Sequence, residues 1–368
     1  MIYLVFNIYI HKIINYMSNV FLKNENPFFV KEKTLDIIEN SLFEMNNAFD
    51  IYSLQKNKNI IYLCGANAFF RDNLVIYEFK NKEFHKKLLI NLHKEPIVCC
   101  KYFLNKRNKK EYLVSVDNGK ELSTSIIFSI IDENNYQKIL SLNNHNTIRY
   151  PLTLIFNENN NLFYIHPCSF VDTEIVSETK EVYKNINLTE EKIFYYYIWE
   201  NSEQNKDLVV QCNNSFVYIY DIFAQYFRFT KIEHDKLKGN NYCCIILYNK
   251  DNTDILCILN EQGNIVFYDL FKNKVTFIVN IKDDNLVQIC QFNEKYLIVL
   301  SKSGFYAILD YDNKKMIHKT SSNELYKCKT MKILNHPFYG KYMLIGGFMK
   351  GINIYKNITD SVKDKKIA

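Results

Sequence analysis

The chain has 368 residues, of which 48% are hydrophobic and 15% aromatic, and its formal net charge is +6 at neutral pH. Hydrophobic residues in that proportion can fill a large core, and so modest a charge does not favour a nucleic-acid partner. The 28 tyrosines and 27 phenylalanines favour strands over helices, because aromatic side chains fit a pleated, half-buried surface. An all-β fold is therefore the first expectation.

The N-terminal 48 residues are expected to form an extension. Residues 1–10 are apolar but too few to span a bilayer, which takes roughly 20 residues, and they lack the basic start and cleavage site of a signal peptide. Residues 1–16 are either a gene-model extension ahead of Met17 or an extra outer strand. Residues 33–46 carry apolar side chains at helical spacing, which predicts a short helix or a loop packed on the main body.

The ten cysteines raise the question of a disulfide framework. Four of them form the adjacent pairs Cys99-Cys100 and Cys243-Cys244 inside apolar runs, where neighbours on a strand point to opposite faces. The sequence has no CxxC spacing, so we expect buried, reduced thiols, no metal and no cofactor. The expected location is the cytoplasm, with the nucleus left open.

A unit of three strand-like runs is clearest in residues 289–312, where turn signals follow residues 293 and 300, and residues 315–319 supply a fourth strand. One such sheet cannot bury both of its faces, so further copies are expected. Six more can be traced along the chain. They begin at residues 49, 97, 152, 193, 242 and 329.

The third run of a unit ends in an apolar or aromatic residue followed by a polar one. These ends recur about every 46 residues, close to the ~40 to 45 residues of a WD40 blade and far from the periods of helical repeats. The readable pairs are Tyr77-Glu78, Ile131-Asp132, Tyr220-Asp221, Tyr268-Asp269, Leu309-Asp310 and Tyr355-Lys356.

Residues 49–356 resemble the WD40-type β-propellers. Tyr220-Asp221 and Tyr268-Asp269 stand where that family has its Trp-Asp dipeptide, and His93 and His145 precede a first strand as the family's Gly-His histidine does. The resemblance implies an all-β, seven-bladed propeller of four-stranded antiparallel blades. It implies no particular function, because one such fold hosts many roles.

The last unit has no good fourth strand, because residues 357–368 form a charged tail. A closed ring needs a strand there. Residues 19–22 and 27–30 of the N-terminal segment can supply it. We therefore expect the N-terminal segment to close the final blade, and deletion of residues 1–30 to lower the melting temperature.

No enzyme motif of the Walker, GxGxxG, GxSxG or HExxH type occurs in the sequence, so a non-enzymatic function is expected. The carboxylate pairs Glu190-Glu191 and Asp283-Asp284 fall in polar turns, where solvated loop charge is the simpler interpretation. We interpret His93 as a hydrogen-bonding residue of a loop between blades rather than a metal ligand.

Two charged stretches are candidate binding surfaces. Residues 105–111 carry four basic side chains on a predicted turn, which a solvated hairpin tip explains. Residues 226–231, YFRFTK, share only Arg228 with the Phe-Arg-Arg-Gly signature of phosphoinositide-binding propellers. The preferred function is a scaffold for an unidentified protein partner, monomeric within a larger complex. A lipid-binding membrane adaptor and an RNA-associated subunit are the alternatives.

The expected docking site is the rim where turns between second and third strands gather. Ring closure makes the first and last units neighbours, which places aromatic side chains beside cations, as in binding hot spots. We expect Arg71→Glu with Lys350→Glu to abolish partner recovery, and changes at Lys109 and Lys110 to leave it intact. The proposed site residues are Phe70, Arg71, Lys120, Lys302, Phe348 and Lys350.

Overall fold

The computed structural model describes residues 29–35, 49–66, 73–117, 122–145, 153–167, 172–188, 191–201, 206–248, 254–281, 285–302, 305–320, 328–347 and 352–357. In these residues the chain forms 28 β-strands and a single 3-10 turn, Asp235–Leu237. The strands make seven four-stranded antiparallel sheets. The expected all-β, seven-bladed propeller is therefore confirmed. Within the described ranges, no helix is long and apolar enough to cross a bilayer.

The first strand, β1 (Phe29–Leu35), belongs to the last blade, and the other strands follow in chain order. Blade 1 comprises β2 (Phe49–Leu54), β3 (Asn57–Ala66), β4 (Asn73–Lys80) and β5 (Glu83–Asn91). Blade 2 comprises β6 (Ile97–Leu104), β7 (Glu111–Asp117), β8 (Leu122–Asp132) and β9 (Asn135–His145). Blade 3 comprises β10 (Thr153–Phe156), β11 (Leu162–Pro167), β12 (Asp172–Ser177) and β13 (Val182–Asn187).

Blade 4 comprises β14 (Ile193–Asn201), β15 (Lys206–Asn213), β16 (Phe216–Tyr220) and β17 (Phe229–Glu233). Blade 5 comprises β18 (Asn241–Tyr248), β19 (Asp254–Asn260), β20 (Asn264–Asp269) and β21 (Lys274–Asn280). Blade 6 comprises β22 (Leu286–Gln291), β23 (Tyr296–Ser301), β24 (Tyr306–Asp310) and β25 (Lys315–Lys319). Blade 7 comprises β26 (Cys328–His336), β27 (Gly340–Gly347), β28 (Ile352–Asn357) and β1.

The first strand of blades 1 to 6, and β26 of blade 7, lies innermost. The inner strands of most neighbouring blades contact one another, and β6 and β10 share one apolar cluster. Since β26 contacts β2, blade 7 meets blade 1 and the ring closes. Layers of apolar side chains fill the space between blades. Cys99 packs with Leu154 between blades 2 and 3, whereas Cys100 packs with Tyr62 between blades 1 and 2. The adjacent cysteines thus face opposite ways, as the strand geometry predicts.

The closing strand is β1, which pairs antiparallel with β28, from Phe29 opposite Asn357 to Leu35 opposite Ile352. It overlaps residues 27–30, which the sequence offered for this place, while residues 19–22 lie outside the described part of the chain. The helix expected from residue 33 is wrong for residues 33–35, which are strand. The free edge of β28 offers a row of backbone donors and acceptors, whereas an isolated short helix is marginal in water. The predicted division into an N-terminal extension up to residue 48, a propeller and a charged tail from residue 357 stays a prediction.

The eight described cysteine side chains are free thiols, and all but Cys290 are buried. Burial raises the pKa of Cys99 and that of Cys243 each to about 12. Both therefore stay protonated and unreactive near neutral pH, since the thiolate is the reactive form. The prediction of buried, free thiols is confirmed for seven of the eight described cysteines, and Cys290 is half-buried.

The polar residue that ends a third strand has a repeated role. In four blades it is an aspartate whose Oδ1 accepts backbone N–H groups of the turn into the fourth strand, which stabilises that turn. The pairs are Asp132 with Asn134, Asp221 with Phe223, Asp269 with Phe271 and Lys272, and Asp310 with Asn313. In these four blades, the polar residue by which the repeat is recognised in the sequence is thus a carboxylate that caps the following turn.

Candidate functional site

Most of the predicted docking rim lies outside the described residues, namely Phe70, Arg71, Lys120, Phe348 and Lys350. Lys302 is described. It is half-buried in the turn after β23, and its backbone N–H donates to the Asn285 carbonyl at 2.8 Å. No geometry yet joins Lys302 to the other members, so this site stays a prediction.

A cavity of about 180 Å³ lies at the opposite rim, where turns between first and second strands of blades 2 to 4 meet. Carboxylates outnumber cations among its charged lining residues. The Lys206 ammonium lies 3.4 Å from Asp221 Oδ2, and the Arg107 guanidinium donates to the Asn157 carbonyl at 3.0 Å. The excess of acid disfavours a phosphate ligand in this cavity. The charged lining residues are Arg107, Lys206, Glu158, Asp207 and Asp221.

The basic stretch at residues 105–111 forms the turn between β6 and β7. Asn105 is buried, its N–H donates to the Lys110 carbonyl at 2.9 Å, and its Oδ1 accepts the Arg107 N–H at 3.0 Å. The side chains of Lys106, Arg107, Lys109 and Lys110 are exposed. The predicted hairpin turn with exposed basic side chains is present, and the interpretation that these charges are only solvated stays a prediction.

An exposed apolar surface adjoins the cavity on blades 3 and 4. Its outermost members are Val182, Tyr183, Tyr226 and Phe229, whose exposed fractions are 52%, 50%, 73% and 50%. Single exposed apolar residues are ordinary, but a contiguous group marks an interaction site. We call these four residues, together with Phe223 and Phe227, the aromatic surface.

Ring contacts hold the aromatic surface in place on both blades. Phe163, Tyr183 and Phe223 form a cluster with centroids 5.0 to 6.0 Å apart, which joins blade 3 to blade 4. Phe227 lies 5.6 Å from the Tyr220 ring, and Phe229 contacts a ring of β16 at the same distance. Since blade strands carry most of these rings, the surface is preorganised.

Cations surround the aromatic surface. The Lys184 ammonium lies 4.6 Å from the centroid of Phe227, and Arg228 is exposed between Phe227 and Phe229. Lys231 lies 3.4 Å from the centroid of Phe216 on the same blade. Exposed aromatic rings beside an arginine are a composition typical of interface hot spots.

In the sequence, residues 226–231 stand out only for Arg228, and neither Tyr183 nor Phe223 is among the predicted site residues. A signal was present, because Phe223, Tyr226 and Phe227 are aromatic residues in a segment between strands, where polar residues are usual. Tyr183 gave no such signal, since the sequence of an outer strand does not show whether its aromatic residue is covered or exposed.

Blade 2 contains a Ser-His-Asp arrangement. His93 Nδ1 lies 3.1 Å from Asp117 Oδ2, and His93 Nε2 lies 2.7 Å from Ser115 Oγ. The exposed fraction is 5% or less for all three residues, so no substrate reaches the Ser115 hydroxyl. Asp117 Oδ1 also accepts the Thr124 N–H, which ties β7 to β8. The network is structural, which confirms the interpretation of His93.

Blade 4 has a different network at the corresponding positions. The Tyr220 hydroxyl donates to Gln211 Oε1 at 2.8 Å, and the Gln211 amide donates to Asn213 Oδ1 at 3.0 Å. The Thr173 hydroxyl lies 3.3 Å from Gln211 Oε1 and 2.6 Å from the Tyr196 hydroxyl. Tyr220, from a dipeptide that resembles Trp-Asp, thus bonds to the second strand of its own blade. In the described part of the chain, no group of three or more acidic, histidine or cysteine side chains could hold a metal ion.

No family model matches the chain. It is similar to two proteins of Plasmodium falciparum (isolate 3D7), with 25% identity over 322 residues and 24% over 383 residues. The alignments cover 84% and 92% of this chain but only 9% and 21% of those proteins, the second of which is described as uncharacterised. The chain thus spans about a tenth to a fifth of the relatives it matches. These similarities assign neither family nor function.

Proposed function

We propose that the protein is a non-enzymatic interaction scaffold, and that a partner protein docks on the aromatic surface of blades 3 and 4. The observation that carries the proposal is the group of exposed apolar side chains at residues 182–183 and 226–229, in which ring contacts join Tyr183 to Phe223 and Phe227 to Phe229. Their burial against a partner removes apolar area from water, at roughly 25 cal/mol per Å² before the costs of association.

The occupant that fits is a protein segment that combines apolar and acidic side chains. The apolar side chains would cover Tyr226 and Phe229, and the acidic ones would pair with the exposed Arg228 guanidinium and the Lys184 ammonium. A phosphoinositide headgroup fits less well. Arg228 lacks the second arginine of the lipid-binding signature, and carboxylates such as Asp221 lie in the adjacent cavity.

Site-specific photocrosslinking tests the surface. A photoreactive phenylalanine analogue at position 226 is expected to capture one partner, and the same analogue at position 316 is not. Met316 is a suitable control because its exposed fraction is 43% and it lies on the outer strand of blade 6. The captured protein, once purified, should bind the unmodified chain with a measurable Kd.

The matched variants are Tyr226→Ser with Phe229→Ser, and Met316→Ser with Ile317→Ser. We expect the first pair to weaken binding of the purified partner at least about tenfold without a change in melting temperature, and the second pair to leave the Kd unchanged. Equal binding by both pairs would place the docking site elsewhere. Loss of partner binding only in the variant with Arg71→Glu and Lys350→Glu would place the docking site on the opposite rim. Flotation of the protein with phosphoinositide vesicles would favour the membrane-adaptor alternative.

A further inference from the structure

The outer strands of the seven blades differ in one respect. Six of them carry an extra residue at a point where the pairing register with the neighbouring strand shifts, which is a β-bulge. Among these described strands, only β17 pairs without a shift, from Phe229 opposite Tyr220 to Glu233 opposite Phe216. The extra residues in the other outer strands are Glu32, Lys87, Ile139, Tyr183, Thr276 and Ile317.

A bulge in an outer strand protects its free edge. An edge strand exposes a row of unpaired N–H and C=O groups, and an extra residue bends and twists the strand so that another strand pairs with it poorly. This protection is missing in β17, which is the last strand of its sheet and pairs with no other described strand than β16. Four of its five side chains are exposed, and only Ile232 is buried. Strand β17 therefore offers a regular edge for pairing.

Blade 4 also departs from the repeat just before β17. Residues 221–228 link β16 to β17, whereas the corresponding links in blades 1, 2, 3, 5 and 6 have two or four residues. The longer link carries Phe223, Tyr226 and Phe227 of the aromatic surface, and Phe229 of that surface lies in β17 itself. The regular edge and the aromatic surface are therefore continuous.

We propose that an extended segment of the partner protein pairs with the free edge of β17 and adds a fifth strand to blade 4. The proposal rests on the docking surface proposed above, and it states how the partner binds there. In this mode of recognition, backbone hydrogen bonds supply affinity, and side chains at every second position supply specificity. The partner segment is therefore a strand and not a helix.

The side chains of β17 indicate what this segment carries. Phe229 and Lys231 lie two residues apart on one face, where the Phe229 ring lies 5.6 Å from the Tyr218 ring. The Lys231 ammonium lies over the Phe216 ring and 3.4 Å from Glu233 Oε2, in an exposed ion pair. Exposed pairs contribute little, so an acidic side chain of the partner can bind beside Lys231. The matching segment has an apolar and an acidic residue two positions apart.

Peptides selected on the full chain from a displayed library of random linear sequences are the probe. Counter-selection on the variant with Tyr226→Ser and Phe229→Ser removes peptides that bind elsewhere. We expect the remaining sequences to alternate apolar and acidic residues with a period of two, as a strand requires. A period of three to four residues would indicate a helix and overturn strand addition.

N-methylation of the peptide backbone tests the pairing itself. In a paired strand, every second N–H points to the neighbouring strand. Two versions of one selected peptide, methylated at alternate positions, therefore form a matched pair. We expect one version to bind the unmodified chain at least about tenfold more weakly than the other in fluorescence polarisation. Equal affinity of the two versions overturns strand addition.

A variant of the chain tests the edge from the other side. Insertion of one lysine after Thr230 gives β17 the extra residue of the other outer strands, and we expect it to weaken peptide binding at least about tenfold. The same insertion after Met316 in β25, which already has a bulge, is the control and should leave the affinity unchanged. The methylated peptides are measured on the unmodified chain, so they decide the outcome even if an insertion variant does not fold.

The results separate strand addition from the docking surface. Counter-selected peptides whose two methylated versions bind equally would leave the docking surface standing and overturn strand addition. If no peptide depends on Tyr226 and Phe229, and the photoreactive residue at position 226 captures no protein, the docking surface is wrong and strand addition falls with it. Self-association of the chain in sedimentation, removed by the insertion after Thr230, would assign β17 to a second copy and overturn the partner assigned here.

Discussion

Blades 2 and 4 secure the same place in the ring with different side chains. Blade 2 uses Ser115 and Asp117 of its second strand with His93 from the preceding loop. Blade 4 has Gln211 and Asn213 at those two positions, and Tyr220 of the third strand takes part. Both networks are buried and bonded, which buried polar groups require.

The difference shows that these two blades build a buried donor and acceptor network at the same place from different residue types. A histidine with an aspartate, or a tyrosine with a glutamine, meets the same need. A repeat can therefore keep its geometry while its recognisable dipeptides change. This accounts for a chain that folds as a seven-bladed propeller and matches no family model.

The largest effect is expected from Asp117→Ala in blade 2. It leaves His93 Nδ1 and the Thr124 N–H without their acceptor in a buried site. We expect the free energy of unfolding to fall by about 3 kcal/mol, because two buried hydrogen-bonding groups lose their partner together. Urea unfolding measures the change. A loss no larger than that of an exposed substitution would show that blade 2 does not depend on its network.

Gln211→Leu in blade 4 should cost somewhat less, about 2 kcal/mol, because it removes a neutral amide rather than a carboxylate from a buried network. The groups that lose a partner are the Tyr220 hydroxyl and Asn213 Oδ1. The double variant with Tyr220→Phe should recover part of the loss, since it removes an orphaned donor. Strictly additive losses in this cycle would mean that the two residues are not coupled.

Tyr220→Phe alone should cost about 1 kcal/mol, the usual worth of one neutral hydrogen bond. Tyr218→Phe is the control on the same strand, since its hydroxyl has no described hydrogen bond, and it should change the free energy of unfolding very little. If Tyr220→Phe and Tyr218→Phe changed the free energy of unfolding equally in chemical denaturation, the hydrogen bond from Tyr220 to Gln211 would not stabilise blade 4.

The smallest effect is expected at a second histidine, His336 in blade 7. Its Nδ1 accepts the N–H groups of Phe338 and Tyr339 at 3.1 and 3.3 Å, and burial lowers its pKa below the ordinary 6.5. The unfolded chain therefore binds the proton more tightly. Stability is complete above about pH 6.5 and falls as the pH drops towards the lower folded pKa.

Melting temperatures at pH 7.5 and 5.5 measure this effect. His336→Gln should show a smaller drop than the unmodified chain. Part of the drop should remain, because burial also lowers the pKa of His318. An unchanged drop in the variant would assign the pH dependence to other groups.

The strands were readable in the sequence because each alternates or runs apolar between turn residues, as Tyr296–Ser301 does before its turn. The closing strand followed from the missing edge in the last blade. The aromatic surface could not be predicted, because the local sequence of β17 does not indicate whether another element covers Phe229. Exposure on an outer strand depends on the packing of other blades. The ion pair between Asp50 and Lys332 was unreadable for the same reason, since these residues of blades 1 and 7 meet only when the ring closes.

The pairing of β1 with β28 also has a consequence for synthesis of the protein. Phe29 faces Asn357, so almost the entire ring must leave the ribosome before β1 finds its neighbour. At about 5 to 20 residues per second, that interval lasts roughly 16 to 66 seconds. Throughout it, β1 and the uncovered edge of blade 7 are segments that chaperones or other chains can bind. The ring is therefore completed only after β28 has been translated, and β1, which is synthesised before the other ring strands, is the last to pair.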